Sequence, residues 1–270
     1  MDTSDQLPTL TPADIERPSP ARIYDYWLGG SNNFAADREV AERAAAAMPT
    51  LKAAIWANRA FLRRVVKTLV TEYGVTQFLD LGSGVPTVGN VHEIAQATDP
   101  SSRVLYVDID PVAVAHGHSL LSDNPQASVI HADLRHPATV LEHRKTAELI
   151  DFAKPVAVLM IAVLHFIPDD EQPDRIVRSY RDALSPGSFL ALSHAAPDLE
   201  HPAEQAGMID DYQRSTRVSF IHRTPEQLQA WLGDFSVQPP GVVQVNEWRP
   251  EAESKQHILR TYGLLARKDG

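Results

Sequence analysis

The chain has 270 residues with 25 basic and 35 acidic side chains, a net charge of −10 that opposes phosphate backbones and counts against a nucleic-acid substrate. No cysteine is present, so disulfides, thiolate metal sites and thiol nucleophiles are excluded together. A chain of this length fits one large α/β domain with an appendage and needs no cross-links to stay folded.

Residues 1–20 are polar and interrupted by Pro8, Pro12, Pro18 and Pro20, which predicts a mobile or surface-draped arm with one helical turn at 13–16. The acidic opening MDTSDQLPTL lacks the apolar core of a signal peptide, and the longest apolar run, 156–164, is too short to span a bilayer. A cytoplasmic protein without a membrane segment is expected. RIYDYWL at 22–28 then reads as a short aromatic helix, broken by GGSNN at 29–33. Its aromatic faces could attract a cation and Asn32 and Asn33 could exchange hydrogen bonds in a closed site, which would make it a lid. Alternatively Tyr24, Trp27 and Leu28 form a small core beneath the arm.

Residues 33–48 read as an alanine-rich helix ended by Pro49. Leu51, Ile55, Leu62, Val66, Leu69 and Tyr73 then place one apolar stripe on a long helix that Gly74 stops. This pair is expected to pack over the sheet edge and the ligand cleft. The basic cluster Arg59, Arg63, Arg64 and Lys67 reads as its solvated face. The expected divisions are an arm at 1–20, a helical lid or cap at 21–74 and a ligand-binding domain at 75–270.

From 75 onward strands and helices alternate. Strands are expected at 75–81, 103–108, 127–132, 155–166 and 188–195, with helices at 87–97, 111–121, 137–150 and 174–184 between them. Two further helices, 204–214 and 225–231, precede strands at 241–248 and 258–267 joined by a charged turn at 249–255. The pattern predicts an α/β fold: a doubly wound, Rossmann-like, seven-stranded sheet, mostly parallel with an antiparallel C-terminal hairpin, helices on both faces and an N-terminal helical lid.

The organising stretch is 77–110, QFLDLGSGVPTVGNVHEIAQATDPSSRVLYVDID. Gly82-Ser83-Gly84 makes a sharp turn after the first strand, but no Gly-Lys-Ser/Thr follows and Thr87 stands where a dinucleotide fingerprint has its third glycine. Three successive strands end in an acid: Asp80 before the turn, Asp108 after the second strand and Asp133 after the third. An ionised Asp108 offers acceptors to both hydroxyls of a ribose. Asp133 suits an adenine amino group. Asp80 suits a ligand arriving with positive charge and not one arriving with a pyrophosphate, which favours S-adenosylmethionine over a nicotinamide dinucleotide. The competing reading has Asp80 and Asp133 capping turns or helices.

Beyond the grip, His165 stands at the end of the fourth strand, where it could take a proton from an acceptor or simply bond a backbone carbonyl. Tyr24 is a second candidate catalytic group. His116 and His118 lack a third ligand, and no metal site is expected. Asp169, Asp170 and Glu171 read as dipole-complementing charge at a helix start. Ser83 lacks the context of a hydrolase nucleophile.

Together DLGSG, YVDID, HADLR and AVLHFIPD resemble the motifs of class I S-adenosylmethionine-dependent methyltransferases over about residues 50–270. The leading segment ARIYDYWLGGSNNFAADRE resembles a bacterial methyltransferase family long catalogued as a domain of unknown function. The resemblance implies Asp80, Gly82, Ser83 and Gly84 at the methionine end, Asp108 and Ile109 at the ribose, and Asp133 with Leu134 at the adenine. Ala162 and, from the leading segment, Arg22, Tyr26 and Asn33 complete the implied cofactor-binding set. Val85-Pro86 in place of a third glycine, and Ile161 where relatives carry a small polar residue, depart from the family pattern. The expected activity is methyl transfer to a small-molecule acceptor. A binding protein without turnover, acting as a sensor or regulator, and a nicotinamide oxidoreductase are the alternatives.

Overall fold

A computed structural model of the chain describes residues 9–87, 89–251 and 261–270. Five parallel strands form its centre: β1 Gln77–Leu81, β2 Arg103–Asp108, β3 Ala127–His131, β4 Ala157–Ile161 and β5 Phe189–Ala195. Their spatial order is β3-β2-β1-β4-β5, so the winding reverses between β1 and β4. All five residues of β1 are buried, as a strand covered on both faces requires. Two short strands, β6 Phe235–Val237 and β7 Val243–Gln244, and a longer one, β8 Thr261–Lys268, complete the sheet, with β8 antiparallel to β5, β6 and β7.

Helices cover both faces. The apolar stripe of α4, Leu51–Tyr73, packs with α5, Val91–Thr98, and α6, Pro111–Leu120, on one face. On the other lie α7 Pro137–Leu141, α8 Arg144–Leu149, α9 Pro173–Asp182 and α11 Pro225–Ala230. A third cluster joins α2, Pro20–Trp27, and α3, Ala35–Ala47, to α10, Pro202–Thr216. The short α1, Pro12–Glu16, precedes them. The two helices of the 33–74 region therefore divide their roles: α3 packs with α2 and α10, while α4 is a layer of the sheet core. Gly74 ends α4 in the left-handed conformation at φ 65°, which glycine adopts without a Cβ clash.

Several elements differ from their sequence expectations. The single helix expected at 137–150 is two, α7 and α8, because His143 accepts a hydrogen bond from the Lys145 amide and caps a new start. β4 stops at Ile161 instead of continuing to 166: Ala162 takes a left-handed φ of 55°, held by Ser193, and Leu164–Phe166 coil into a 3-10 turn. His165 therefore stands on that turn and not at a strand end. The sheet has eight strands where seven were expected, since β6 was too short to show an alternating pattern. The strand expected at 241–248 shrinks to β7, because the carbonyls of Val245 and Trp248 bond the Arg64 guanidinium instead of a neighbouring strand. The turn expected at 249–255 and the first three residues of the second hairpin strand fall largely on 252–260, outside the described residues.

Phe61 carries α4 onto the sheet. It is fully buried, meets Trp248 edge-on at 5.4 Å and lies so close to β8 that a Cβ on Gly263 would come within 2.8 Å of its ring. Phe61→Ala should lower the unfolding free energy by about 3–5 kcal/mol, read from urea denaturation.

Candidate functional site

At the carboxyl ends of the parallel strands, where the winding reverses, lies a cavity of about 490 Å³. Open α/β sheets leave a crevice at this place because adjacent connections depart to opposite faces. Asp80, Gly82, Ser83, Gly84, Asp108, Ile109, Asp133, Leu134, Ala162, His165 and Tyr24 all line it. Arg22, Tyr26 and Asn33 do not: the fold directs these three side chains into contacts of the N-terminal helices.

The glycine turn is tightly determined. Gly82 and Gly84 have φ of 71° and 69°, and a Cβ at Gly82 would sit 2.3 Å from the Val163 side chain. The amides of Gly82 and Ser83 both donate to the Val107 carbonyl, at 2.8 and 3.1 Å. Asp108 accepts the Gly84 amide on one oxygen at 2.6 Å and the Asp110 amide on the other at 2.8 Å. Each oxygen thus keeps a lone pair for a further donor. Burial pushes the Asp108 carboxyl up to about 6; the amides of Asp110, Gly84 and Ile109 oppose the shift and the Asp110 charge adds to it.

Asp80 is as buried as Asp108 but accepts no hydrogen bond among the described residues. Burial raises it to about 7; Arg59 opposes that shift and Asp108 adds to it. Arg59, from α4, also lines the cavity, has no ion pair among the described residues and stacks 6.0 Å from the centroid of Tyr24. At the opposite side of the rim, Asp133 is chelated by Arg135, whose Nε and Nη2 donate to its oxygens while Nη1 reaches Glu171. Burial raises the Asp133 carboxyl, but the hydrogen bonds from Arg135 outweigh it and hold the group below its ordinary value. Glu171 and Asp169 serve as ion-pair partners of Arg135 and Arg223, a more specific role than the dipole charge expected of them.

The N-terminal segment is bound to this rim by two buried acids. Arg22 donates from Nε to Asp37 at 2.9 Å and from Nη1 to Asp110 at 2.8 Å, and Asp110 also caps α6. Asp25 accepts from the Asn32 amide, the Asn33 side chain and the hydroxyl of Thr87. The residue that replaces a fingerprint glycine therefore ties the glycine loop to α2. Tyr26 donates outward to Glu42.

Tyr24 and His165 occupy the cavity wall in neutral form. The Tyr24 hydroxyl accepts from Asn58 and donates to the Ile55 carbonyl, and burial raises its pKa, so the proton stays on. Burial, followed by the neighbouring His194, His222 and Arg223, drives His165 well below the ordinary histidine value. Its Nδ1 lies 3.5 Å from the Ala195 amide, too long to orient the ring strongly.

Arg59, Asp25, Thr87 and Asp110 are the participants that sequence reasoning missed. For Arg59 the only signal was that its helix continues the stripe facing the cleft. Among the described residues one acid and histidine group, Asp198, Glu200 and His201, gathers elsewhere, outside the cavity lining.

The sequence pattern described as S-adenosyl methyltransferase matches residues 8–269. A candidate methyltransferase of Thermobifida fusca YX, known from a crystal structure, is 39% identical over 97% of this chain and 100% of its own, with a TM-score of 0.89. A protein of Streptomyces avermitilis MA-4680, described as a DUF574 family member, is 34% identical over 94% of this chain and 99% of its own, with a TM-score of 0.90. No curated protein matches the sequence.

The buried ion pairs make Arg22 hard to replace. Arg22→Ala leaves Asp37 and Asp110 without their shared counter-charge and should destabilise the fold by about 3–5 kcal/mol, measured by chemical denaturation at neutral pH.

Proposed function

This chain belongs to the S-adenosyl methyltransferase family and is an S-adenosylmethionine-dependent methyltransferase, and we propose that its cofactor lies along the strand rim from Asp80 to Asp133. The observation that carries this placement is the pair of opposite charges at one end, Asp80 and Arg59, without an ion pair among the described residues and in the same cavity lining as Asp108, on the neighbouring strand, with open acceptor sites. An amino-acid tail carries an ammonium and a carboxylate side by side. Asp80 and Arg59 complement those two groups in turn, where a pyrophosphate would meet a buried acid. Asp108 takes the ribose hydroxyls, Ile109 offers an exposed apolar side chain to the adenosine, and Leu134 with Asp133 borders the adenine. Gly82, Ser83, Gly84 and Ala162 supply close backbone.

When bound, S-adenosylmethionine supplies a methyl group already activated on a sulfonium. The protein's task is then to hold, orient and exclude water. We assign α2 and α3, within the 21–74 segment, the role of a cap. Tyr24 and Trp27 of α2 form part of the cavity wall, and the Asp25 to Thr87 hydrogen bond joins this cap to the glycine loop. Arg22 and Asn33 act behind the wall, Arg22 through Asp110 and Asn33 through Asp25. A cavity closed by side chains on this scale fits a small-molecule acceptor. Among the described residues no helix is long and apolar enough to cross a membrane.

Calorimetry with S-adenosylmethionine tests the reading directly. Asp108→Ala should weaken binding by about 1.5–3 kcal/mol, the range for hydrogen bonds to a charged group; undiminished binding would sink the ribose assignment. Arg59→Ala should weaken S-adenosylmethionine but leave the affinity for its decarboxylated analogue unchanged, since only the former offers a carboxylate.

Binding should also depend on pH. Asp80 stands near 7 in the free protein, and an ammonium beside it favours the ionised form. Binding then releases a proton and tightens as pH rises from about 6 to about 7.5. Calorimetry in buffers of different ionisation enthalpy reads that proton, and Asp80→Asn should abolish its release.

A further inference from the structure

The cavity does not end at the strand rim. Its lining also takes in Trp27, Met48, Phe166, Met208, Tyr212 and Phe220, an apolar and aromatic group drawn from α2, α10 and the segments after α3, β4 and α10 that forms one part of the cavity, the aromatic chamber. We propose that this chamber takes a hydroxylated aromatic compound as methyl acceptor, and that His165 receives the hydroxyl proton. The proposal rests on the reading of the rim as the S-adenosylmethionine site.

Charge argues first. The acids that line the cavity, Asp80, Asp108, Asp133 and Glu171, all belong to the rim and its border. None lines the aromatic chamber, so an ammonium entering it would lose its hydration without gaining a counter-ion. The cation at this end is Arg217, exposed at the cavity lining and without an ion pair among the described residues. The chamber is therefore built for a neutral or anionic guest.

Shape and polar groups narrow the class further. Phe166 lies nearly parallel to Tyr212, at 14° and 6.4 Å between centroids, and edge-on to Phe220 at 5.7 Å, surfaces suited to a flat ring. The Tyr212 hydroxyl is held in a side chain only 4% exposed, yet makes no hydrogen bond among the described residues. That hydroxyl can bond a polar atom on the ligand.

His165 lines the same cavity beside this aromatic group. Val163, two residues before it, fills the space over Gly82, while the His165 ring itself lies 4.3 Å from Phe166 and 4.6 Å from Phe220. Its Nε2 has no hydrogen bond among the described residues. The groups facing it are His194 of β5, and His222 and Arg223, which follow α10; none carries negative charge, and burial with these neighbours keeps the imidazole neutral and weakly basic, so it takes a proton only as the acceptor oxygen gains positive charge in the transfer. In the transfer, a lone pair of the acceptor oxygen forms the bond to the methyl carbon. The carbon–sulfur bond breaks with its electron pair going to sulfur, which becomes a neutral thioether. The hydroxyl proton passes to His165 and leaves to solvent, and an aryl methyl ether remains.

The test uses the full chain and separates this proposal from the reading beneath it. Binding of S-adenosylhomocysteine is measured first; its failure would count against the rim assignment and not against the chamber. With that product bound, naphthol and hydroxybenzoate should bind and quench tryptophan fluorescence, and benzylamine should not. With labelled cofactor, the two hydroxy compounds should yield methyl ethers. His165→Gln should lower kcat by about 10²-fold or more while the affinities for cofactor and naphthol stay within twofold. Tyr212→Phe should raise the KM for hydroxybenzoate several-fold with kcat retained. Binding or methylation of benzylamine in preference to the hydroxy compounds, absence of binding by either of them, or full turnover in His165→Gln would overturn the proposal.

Discussion

The guanidinium of Arg22 is the constraint on which the site is assembled. It is almost wholly buried between Asp37 on the N-terminal segment and Asp110 at the start of α6. Removing three charges from water costs several kcal/mol each, recovered only when the geometry satisfies all of them. Two carboxylates share one cation here, and the remaining demand is met by further donors: the amides of Ser19 and Phe34 for Asp37, and those of Val112 and Ala113 for Asp110. Such an arrangement tolerates little displacement. It places α2 against the sheet and holds Asp110 where its own amide reaches Asp108.

A second connection reinforces the first. Asp25 gathers its donors from the GGSNN loop and from Thr87, and Gly30 can approach it because a Cβ there would overlap the Asp25 carboxylate. The glycine turn is thus bound to α2. The departure of Thr87 from the dinucleotide pattern follows: a third glycine would bring the helix closer, whereas a hydroxyl here holds the loop to α2.

The rim itself is not at its electrostatic optimum. Asp80 and Asp108 both titrate well above ordinary carboxylates because burial disfavours their charged forms, and Ala162 is held in a conformation costing roughly 1–2 kcal/mol for a residue with a Cβ. These features gather at one sheet edge, while the two apolar layers behind it are continuous and fully buried. Stability resides in the layers and unmet demand at the edge. On the proposed reading, the cationic and hydroxyl groups of the cofactor answer that demand.

Much of this was legible from the chain alone, for a local reason. Strands covered on both faces are written as apolar runs, glycine turns and capping residues sit beside the elements they end, and Asp80, Asp108 and Asp133 could be placed on one edge because each stands at the carboxyl end of its own strand. Gly74 as the stop of α4 was equally local. Arg22, Tyr26 and Asn33 were implied in the cavity by the family resemblance of the leading segment; what decides their direction is Asp110, 88 residues on in sequence from Arg22, and the neighbours Glu42 and Asp25. Arg59 read as solvated because helical spacing reports which residues share a face and not what that face meets. The sequence by itself determined the order of elements, the parallel core and the acids at its edge, since these depend on near neighbours and burial pattern. Only the tertiary structure decided which charges meet, that His165 stands on a turn beyond a strand, and that an aromatic chamber adjoins the rim, because those contacts are made between segments far apart in the chain.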